Sequence, residues 1–253
     1  MAYDCSRMGT TVHSETLPPI AGRARPAPLP RFAADGFEII PYVLTEPECR
    51  LIALQVGAFG APPAGARNLL MYPWCREVAR RLRRHFGIAR RLSRDAVAVQ
   101  CSLFDKSKER NWHVVMHQDL SVPMLEHVEL DPPLGPLGPT THEDGMTFVQ
   151  PPMSILQALV VARLHLDDCA GTNGALRVVP GSHRHGRLDG QQVEALRIAH
   201  GELVCPVPRG GVMLMHPLLL HASSRTLEPG ARRVLHFVFG PARLPRGLDW
   251  ALA

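Results

Sequence analysis

Apolar and polar positions along the chain fall into two regimes, with helical spacing first, strand-like runs afterwards, and no alternation of strand and helix. Phe37, Ile39 and Tyr42 mark a first strand in RFAADGFEIIPYVL. Thr45, followed three residues later by Glu48, is a capping-box signal that opens a helix through ECRLIALQVG. A second helix spans PWCREVARRLRRHF, with Val78, Leu82 and Phe86 on one face. Strands are then predicted in DAVAVQCSLFDKS, around His117-Gln118-Asp119, in the short LSVP, in SILQALVVARLHLDD, and in NGALRVVPGSH after a turn at Gly171–Gly174. A short helix in QQVEALRIAHG precedes two long strands, GGVMLMHPLLLHASS and ARRVLHFVF. This order predicts an α+β, mainly β fold: an antiparallel barrel or double-sheet jelly roll with helices added.

Two segments stand outside the pattern. Residues 1–30 are rich in Pro, Ala, Gly and Ser and predict a flexible or surface-hugging arm, leaving residues 31–253 as the ordered domain. Glu126 to Gln150 is Pro- and Gly-rich and predicts an irregular lid or binding loop. At 253 residues, 45% of them apolar, the chain suffices for one large β-rich domain. It has no apolar run that spans a bilayer and no apolar core of a signal peptide near its start, so a soluble cytoplasmic protein without a membrane partner is expected. The six Cys form no C-x-x-C pair, which argues against a zinc knuckle or thioredoxin-like motif. The net charge of +5 comes largely from the Arg-rich helix, read as a solvated face, and with 6% aromatic residues there is little to stack on bases. No nucleic-acid partner is expected.

The candidate chemistry begins with H-x-D, which occurs at His117/Asp119, His142/Asp144 and His165/Asp167. Residues i and i+2 of a strand point the same way, so His117 and Asp119 can grip one ion, with His221 of LLLHASS as a distant third ligand. Two imidazoles and a carboxylate form the facial triad that holds non-haem Fe(II) and leaves positions open. Arg232 follows His221 closely and offers a planar fork suited to the distal carboxylate of 2-oxoglutarate. The His142 pair lies in a loop that would not hold two ligands rigidly, and the His165 pair ends a core strand, so the first pair is preferred. Zinc also binds such triads, but a hydrolase reading leaves Arg232 unexplained. A non-catalytic barrel that binds a small molecule is the alternative from another class.

WHVVMHQDL, NGALRVVPGSHRHGRL, LLLHASS and RRVLHFVF, spanning roughly Arg31 to Arg243, resemble the phytanoyl-CoA dioxygenase family of Fe(II)- and 2-oxoglutarate-dependent oxygenases. The resemblance implies a double-stranded β-helix (jelly-roll, cupin-like) barrel with helices packed on one side. It implies His117, Asp119 and His221 as iron ligands, and Arg232 and Ser223 on the distal carboxylate of the cosubstrate. The segment Gln100–Lys106 resembles the Q-x5-K segment of ectoine hydroxylases, which implies Lys106 on 2-oxoglutarate and Gln100 on substrate. Trp112 lies five residues before His117, where the family has a Trp adjoining that His, and is assigned to substrate. The presence of Asp119 favours hydroxylation over halogenation, with O2 consumed and succinate and CO2 released. The expected partner is a small molecule or acyl substrate; for an acyl-CoA, Arg184 and Arg187 would supply a basic mouth. Arg233 is read as a salt-bridge residue on the opposite face from Arg232, and His216 as facing away from His221.

Overall fold

The computed structural model describes residues 31–58, 66–107, 110–125, 137–226, 230–245 and 248–251. The expected arm, residues 1–30, lies outside the described residues, as does the first part of the expected loop, residues 126–136. A single turn, α1 (Phe32–Asp35), leads into strand β1 (Phe37–Ile40), which stops before Tyr42, an exposed residue with positive φ. Helix α2 (Glu46–Gly57) starts at the expected capping box, with Glu48 Oε2 2.7 Å from both the backbone N and Oγ1 of Thr45. Such a cap is worth about 1 kcal/mol. Helix α3 (Pro73–Arg84) buries Val78 and Leu82, but it ends before Phe86, which opens the short α4 (Phe86–Ala89) and points to solvent.

The strands follow as β2 (Ala96–Lys106), β3 (Val114–His117), β4 (Val122–Pro123), β5 (Thr140–Glu143) and β6 (Met146–Val149). Here the expectation of an irregular 126–150 segment is corrected, because Asp144-Gly145, both at positive φ, turn β5 back onto β6 as a hairpin. SILQALVVARLHLDD is likewise divided: its first half forms helix α5 (Met153–Ala158), and only β7 (Val160–His165) is strand. Next come β8 (Leu176–Val178), helix α6 (Gly190–His200) with an Asp189/Gln192 capping box, and β9 (Leu203–Cys205). The expected long strand through MLMHPLLLH is broken by a turn at His216–Leu220 into β10 (Val212–Met215) and β11 (His221–Ser223), before β12 (Arg232–Pro241) closes the series.

Five strands, in the order β1-β10-β7-β12-β2, make one antiparallel sheet; β3-β11-β8-β9 make a second, and β4-β6-β5 a third. The two larger sheets enclose an apolar core containing Val161, Met213, Leu176, Val178 and Leu219. The opposite face of the five-stranded sheet, through Cys101, Leu103, Leu235 and Phe237, packs under α2 and α3 with Val56, Val78 and Leu82. This is a jelly roll with its helices on one side. Alternation puts the other set of side chains on the inner face, and one end of that face is polar: Gln100, Ser102 and Lys106 on β2, Arg163 and His165 on β7, Arg232 and His236 on β12 are all buried. Buried charges are costly unless they meet counter-charges, so this end of the barrel marks the site.

Candidate active site

His117, the last residue of β3, lies directly across the ladder from His221, the first residue of β11, with ring centroids 4.2 Å apart. Strand β3 ends there, so Asp119 is placed by loop contacts. Its N–H donates to Pro217 O at 2.9 Å, while Gln118 Nε2 donates to Gly186 O and Leu218 O at 2.7 and 2.8 Å. Gln118 Oε1 accepts from Leu188 N at 2.9 Å. The middle residue of H-x-D thus ties the PGSH loop and the LLLH turn to the ligand segment. Sequence reading passed over it.

Asp119 Oδ1 sits 3.5 Å from His117 Nε2 and 3.6 Å from His221 Nε2. Each imidazole turns its Nδ1 to a backbone carbonyl 2.9 Å away, Val115 O for His117 and Leu219 O for His221. A carbonyl only accepts, so each Nδ1 carries the proton and each Nε2 presents its lone pair toward Asp119. Three acceptors facing one point, all within 4.8 Å of one another, fit a divalent cation. Burial pushes the His221 imidazole down to about 4. Burial alone would raise Asp119, but the imidazoles of His221, His117 and His236 outweigh it and hold the carboxylate well below its usual range. His117 is also desolvated, yet Asp119 beside it lifts its pKa above the ordinary value.

Behind the triad is a small space of about 50 Å³ lined by Lys106, Trp112, Arg163, Ser223 and Arg232 together with the triad itself. Arg232 and Lys106 are register partners on β12 and β2. Lys106 Nζ donates to Ser223 Oγ at 2.7 Å and Ser224 O at 2.9 Å, and lies 5.2 Å from the Trp112 ring centre. Arg232 is buried with Nε and Nη1 unpartnered. Burial, then the charges of Arg232 and Arg163, lower the Lys106 ammonium to about 7. Gly174, at φ 84°, makes this close packing possible, since a Cβ there would lie 3.0 Å from Ser224 O. A cation-lined pocket with orphaned guanidinium nitrogens is shaped for an anion.

On the other side of the triad a larger cavity of about 440 Å³ is lined by Gln100, Ser102 and Phe104 of β2, Leu120, Thr141 and Glu143 of β5, Phe148 of β6, Arg67, and His236 and Val238 of β12. Gln100 donates to Ser102 Oγ at 3.1 Å and keeps Oε1 unpartnered. Arg67 and Glu143 pair at 2.7 Å. The structure therefore brings Lys106, Ser223 and Arg232 together on the inner space and puts Gln100 on the outer wall. Trp112 lies with Lys106 on the inner space and is not among the residues that line the outer cavity.

The remaining motifs resolve without a second site among the described residues. His142 is exposed on β5, and Asp144 accepts from Arg67 N at the hairpin turn. His165 is buried with neither ring nitrogen partnered, while Asp167 takes a two-pronged bond from Arg233 at 2.8 Å. Arg184 and Arg187 donate to the carbonyls of Ala34 and Pro151 and line neither cavity. Besides Gln118, two residues that sequence reading missed belong to the site. Arg163 Nη1 lies 2.8 Å from His236 Nδ1, and His236 Nε2 is 3.7 Å from Asp119 Oδ2. Their signal was a charged residue inside the apolar run VVARLH, and a His four residues after Arg232 on the same strand face.

A jelly roll with a two-histidine, one-carboxylate triad between an anion pocket and an outer cavity defines a metal-dependent oxygenase scaffold. The chain belongs to the phytanoyl-CoA dioxygenase (PhyH) family, whose model matches residues 32–234. That family consists of Fe(II)- and 2-oxoglutarate-dependent oxygenases, so this is a 2-oxoglutarate-dependent oxygenase by membership. No curated protein matches the chain. Among solved structures it is similar to EctD from S. alaskensis with 2-oxoglutarate and 5-hydroxyectoine, at 21% identity and TM-score 0.63, over 88% of this chain and 80% of that one. It is also similar to the α-ketoglutarate-dependent carbocyclase SnoK from nogalamycin biosynthesis, at 18% identity and TM-score 0.61, over 88% and 84%. HygX from Streptomyces hygroscopicus with iron bound aligns at 21% identity and TM-score 0.58, over 85% of each chain. At these identities the likeness shows the shared fold. No helix among the described residues is long and apolar enough to cross a membrane.

Proposed function

We propose that the protein hydroxylates a C–H bond of a small, uncharged, partly polar molecule, with 2-oxoglutarate as cosubstrate. The observation that carries this is that three convergent ligand atoms share a small anion pocket with a buried Arg232 that has two unpartnered guanidinium nitrogens. His117, Asp119 and His221 would hold the iron. Arg232 donates to the distal carboxylate of 2-oxoglutarate through its free nitrogens, helped by the Ser223 hydroxyl and the Lys106 ammonium. Bound iron and 2-oxoglutarate supply an oxidant from O2 that inserts oxygen into a C–H bond, with succinate and CO2 released.

The chain's own residues decide what meets that oxidant. Phe104, Leu120, Phe148 and Val238 keep the outer cavity partly dry, and the free Oε1 of Gln100 accepts a bond from a substrate hydroxyl or amide. Arg67 and Glu143 neutralise one another, so the wall near them offers no unbalanced charge to an anionic substrate. With Arg184 and Arg187 committed elsewhere, a CoA ester finds no basic mouth among the described residues. The cavity volume lies within the usual range for small-molecule sites.

The test is incubation with Fe(II), 2-oxoglutarate and 18O2 against a panel of neutral hydroxylated metabolites. A product that gains one labelled oxygen in step with succinate supports the proposal. Desaturated or ring-closed products without label would overturn hydroxylation, and preference for CoA esters would overturn the substrate class.

A further inference from the structure

We propose that Arg163 and His236 form a positioning pair for the metal carboxylate: Arg163 fixes the tautomer of His236, which presents Nε2–H to Asp119 Oδ2 and leaves Oδ1 facing the metal. The inference rests on the metal-site reading above. Arg163 and His236 are register partners on β7 and β12, both almost fully buried, with Nη1 and Nδ1 2.8 Å apart. A guanidinium has donors only. Nδ1 of His236 therefore accepts, and a neutral ring must carry its proton on Nε2. That nitrogen is 3.7 Å from Asp119 Oδ2, a buried oxygen with no other hydrogen-bond partner, while Oδ1 is the oxygen shared by the two ligand histidines. The separation is longer than a formed hydrogen bond. A small turn of the carboxylate closes it.

The surroundings hold this arrangement. Phe104 packs edge-on against His236 at 5.6 Å between ring centres and lies under the Arg163 guanidinium at 5.1 Å, so neither ring nor fork is free to swing. Arg163 has no salt-bridge partner among the described residues, and its Nε is buried without a hydrogen bond. A residue that only filled space here would be apolar, since a desolvated cation without a paired acid is costly. What it gains is its effect on the acceptor nitrogen of His236 and the nearby charge of Asp119. Outer partners of this kind typically change metal affinity by about 10–100-fold.

The test is anaerobic calorimetric titration of the full chain with Fe(II) alone, for wild type, H236Q, H236N, H236L and R163M. Gln places an amide donor near the Nε2 position, whereas Asn reaches only the position of Nδ1. We expect H236L and H236N to bind Fe(II) about 10–100-fold more weakly, and H236Q to stay within about threefold of wild type. R163M weakens binding in the wild-type background and has no further effect on H236L, because both changes remove one bond. Circular-dichroism melting identifies the variants that fold, and the Gln and Asn contrast stands even if H236L does not. Equal Fe(II) affinity in folded wild type, H236Q and H236N overturns the proposal, as does additive loss in the double variant. A wild type that takes up no Fe(II) overturns this proposal and the metal reading together. If wild type takes up Fe(II) but a following titration of 2-oxoglutarate into the same sample gives no binding, the cosubstrate reading alone is overturned.

Discussion

Lys106 is the residue whose charge depends most on what fills the anion pocket. In the protein without ligand, burial beside Arg232 and Arg163 lowers its ammonium to about 7. A dicarboxylate reverses that environment and raises the bound-state pKa, so binding above pH 7 takes up a proton. The sign follows: 2-oxoglutarate affinity falls as pH rises through 7, by up to about tenfold per pH unit until the bound-state pKa is reached. Calorimetry in buffers of different ionisation enthalpy measures this directly. Lys106→Met should bind more weakly at pH 7 and show no slope; a wild-type affinity flat from pH 7 to 9 would exclude the coupling. At this scale, sequence reveals identity well and partnership poorly. His117, Asp119, His221 and Arg232 carry a recognisable pattern, and the structure gathers them as that pattern implies. Arg163 and His236 carry only a weak signal, a charge in an apolar run and a His on the Arg232 face, because their partnership comes from register between strands β7 and β12, far apart in sequence.

Among elements, the loop that follows β3 does the work expected of a strand. H-x-D was expected to grip through strand alternation, yet β3 ends at His117 and Asp119 is set by Gln118 and by its own bond to Pro217. Gln118→Ala leaves Leu188 N without its acceptor and two carbonyls without their donor; the bonds are part-buried, so each costs about 0.5–1.5 kcal/mol. The expected outcome is a lower unfolding midpoint in calorimetry together with weaker Fe(II) binding, since the ligand segment loosens with it. An unchanged midpoint and unchanged metal affinity would show that β3 alone sets Asp119. Local rules did carry other elements: the Thr45/Glu48 box starts α2, and the period-2 run through Ala96–Lys106 is one strand. They failed where one apolar run holds two elements. SILQA is apolar enough for either helix or strand and folds as α5, while Pro217 and the capping hydrogen bonds of His216–Leu220 break an otherwise strand-like run. The 140–149 hairpin was hidden by the Pro and Gly before it, although Asp144-Gly145 was its turn signal.

In the whole molecule, two sheets close around the triad and the small third sheet adds a wall to the outer cavity. Arg67 links the segment before α3 to that wall through Glu143, the Asp144 carboxylate and the Phe148 ring. Both side chains of the Arg67–Glu143 pair are over 40% exposed, so the pair contributes less than about 1 kcal/mol to global stability. Glu143→Ala should therefore leave the unfolding midpoint almost unchanged but speed amide exchange in residues 140–149, read by mass spectrometry. Unchanged exchange there would mean that the hairpin is held by its own ladder. The fold class was legible from the order of helices and strands, whereas the two-cavity arrangement depends on the third sheet and on which face each polar strand residue takes.

The measurement that tests this most directly is anaerobic titration of metal-free protein with Fe(II) and then 2-oxoglutarate, watched for the visible charge-transfer band of a chelated keto acid. The band should appear in wild type, vanish in His117→Ala, and require far more keto acid in Arg232→Ala, which keeps the ligands but loses the clamp. Folded wild-type protein that binds Fe(II) and shows no band at saturating 2-oxoglutarate would contradict the assignment of the inner pocket, and the barrel would then be a binding module or a site for another metal.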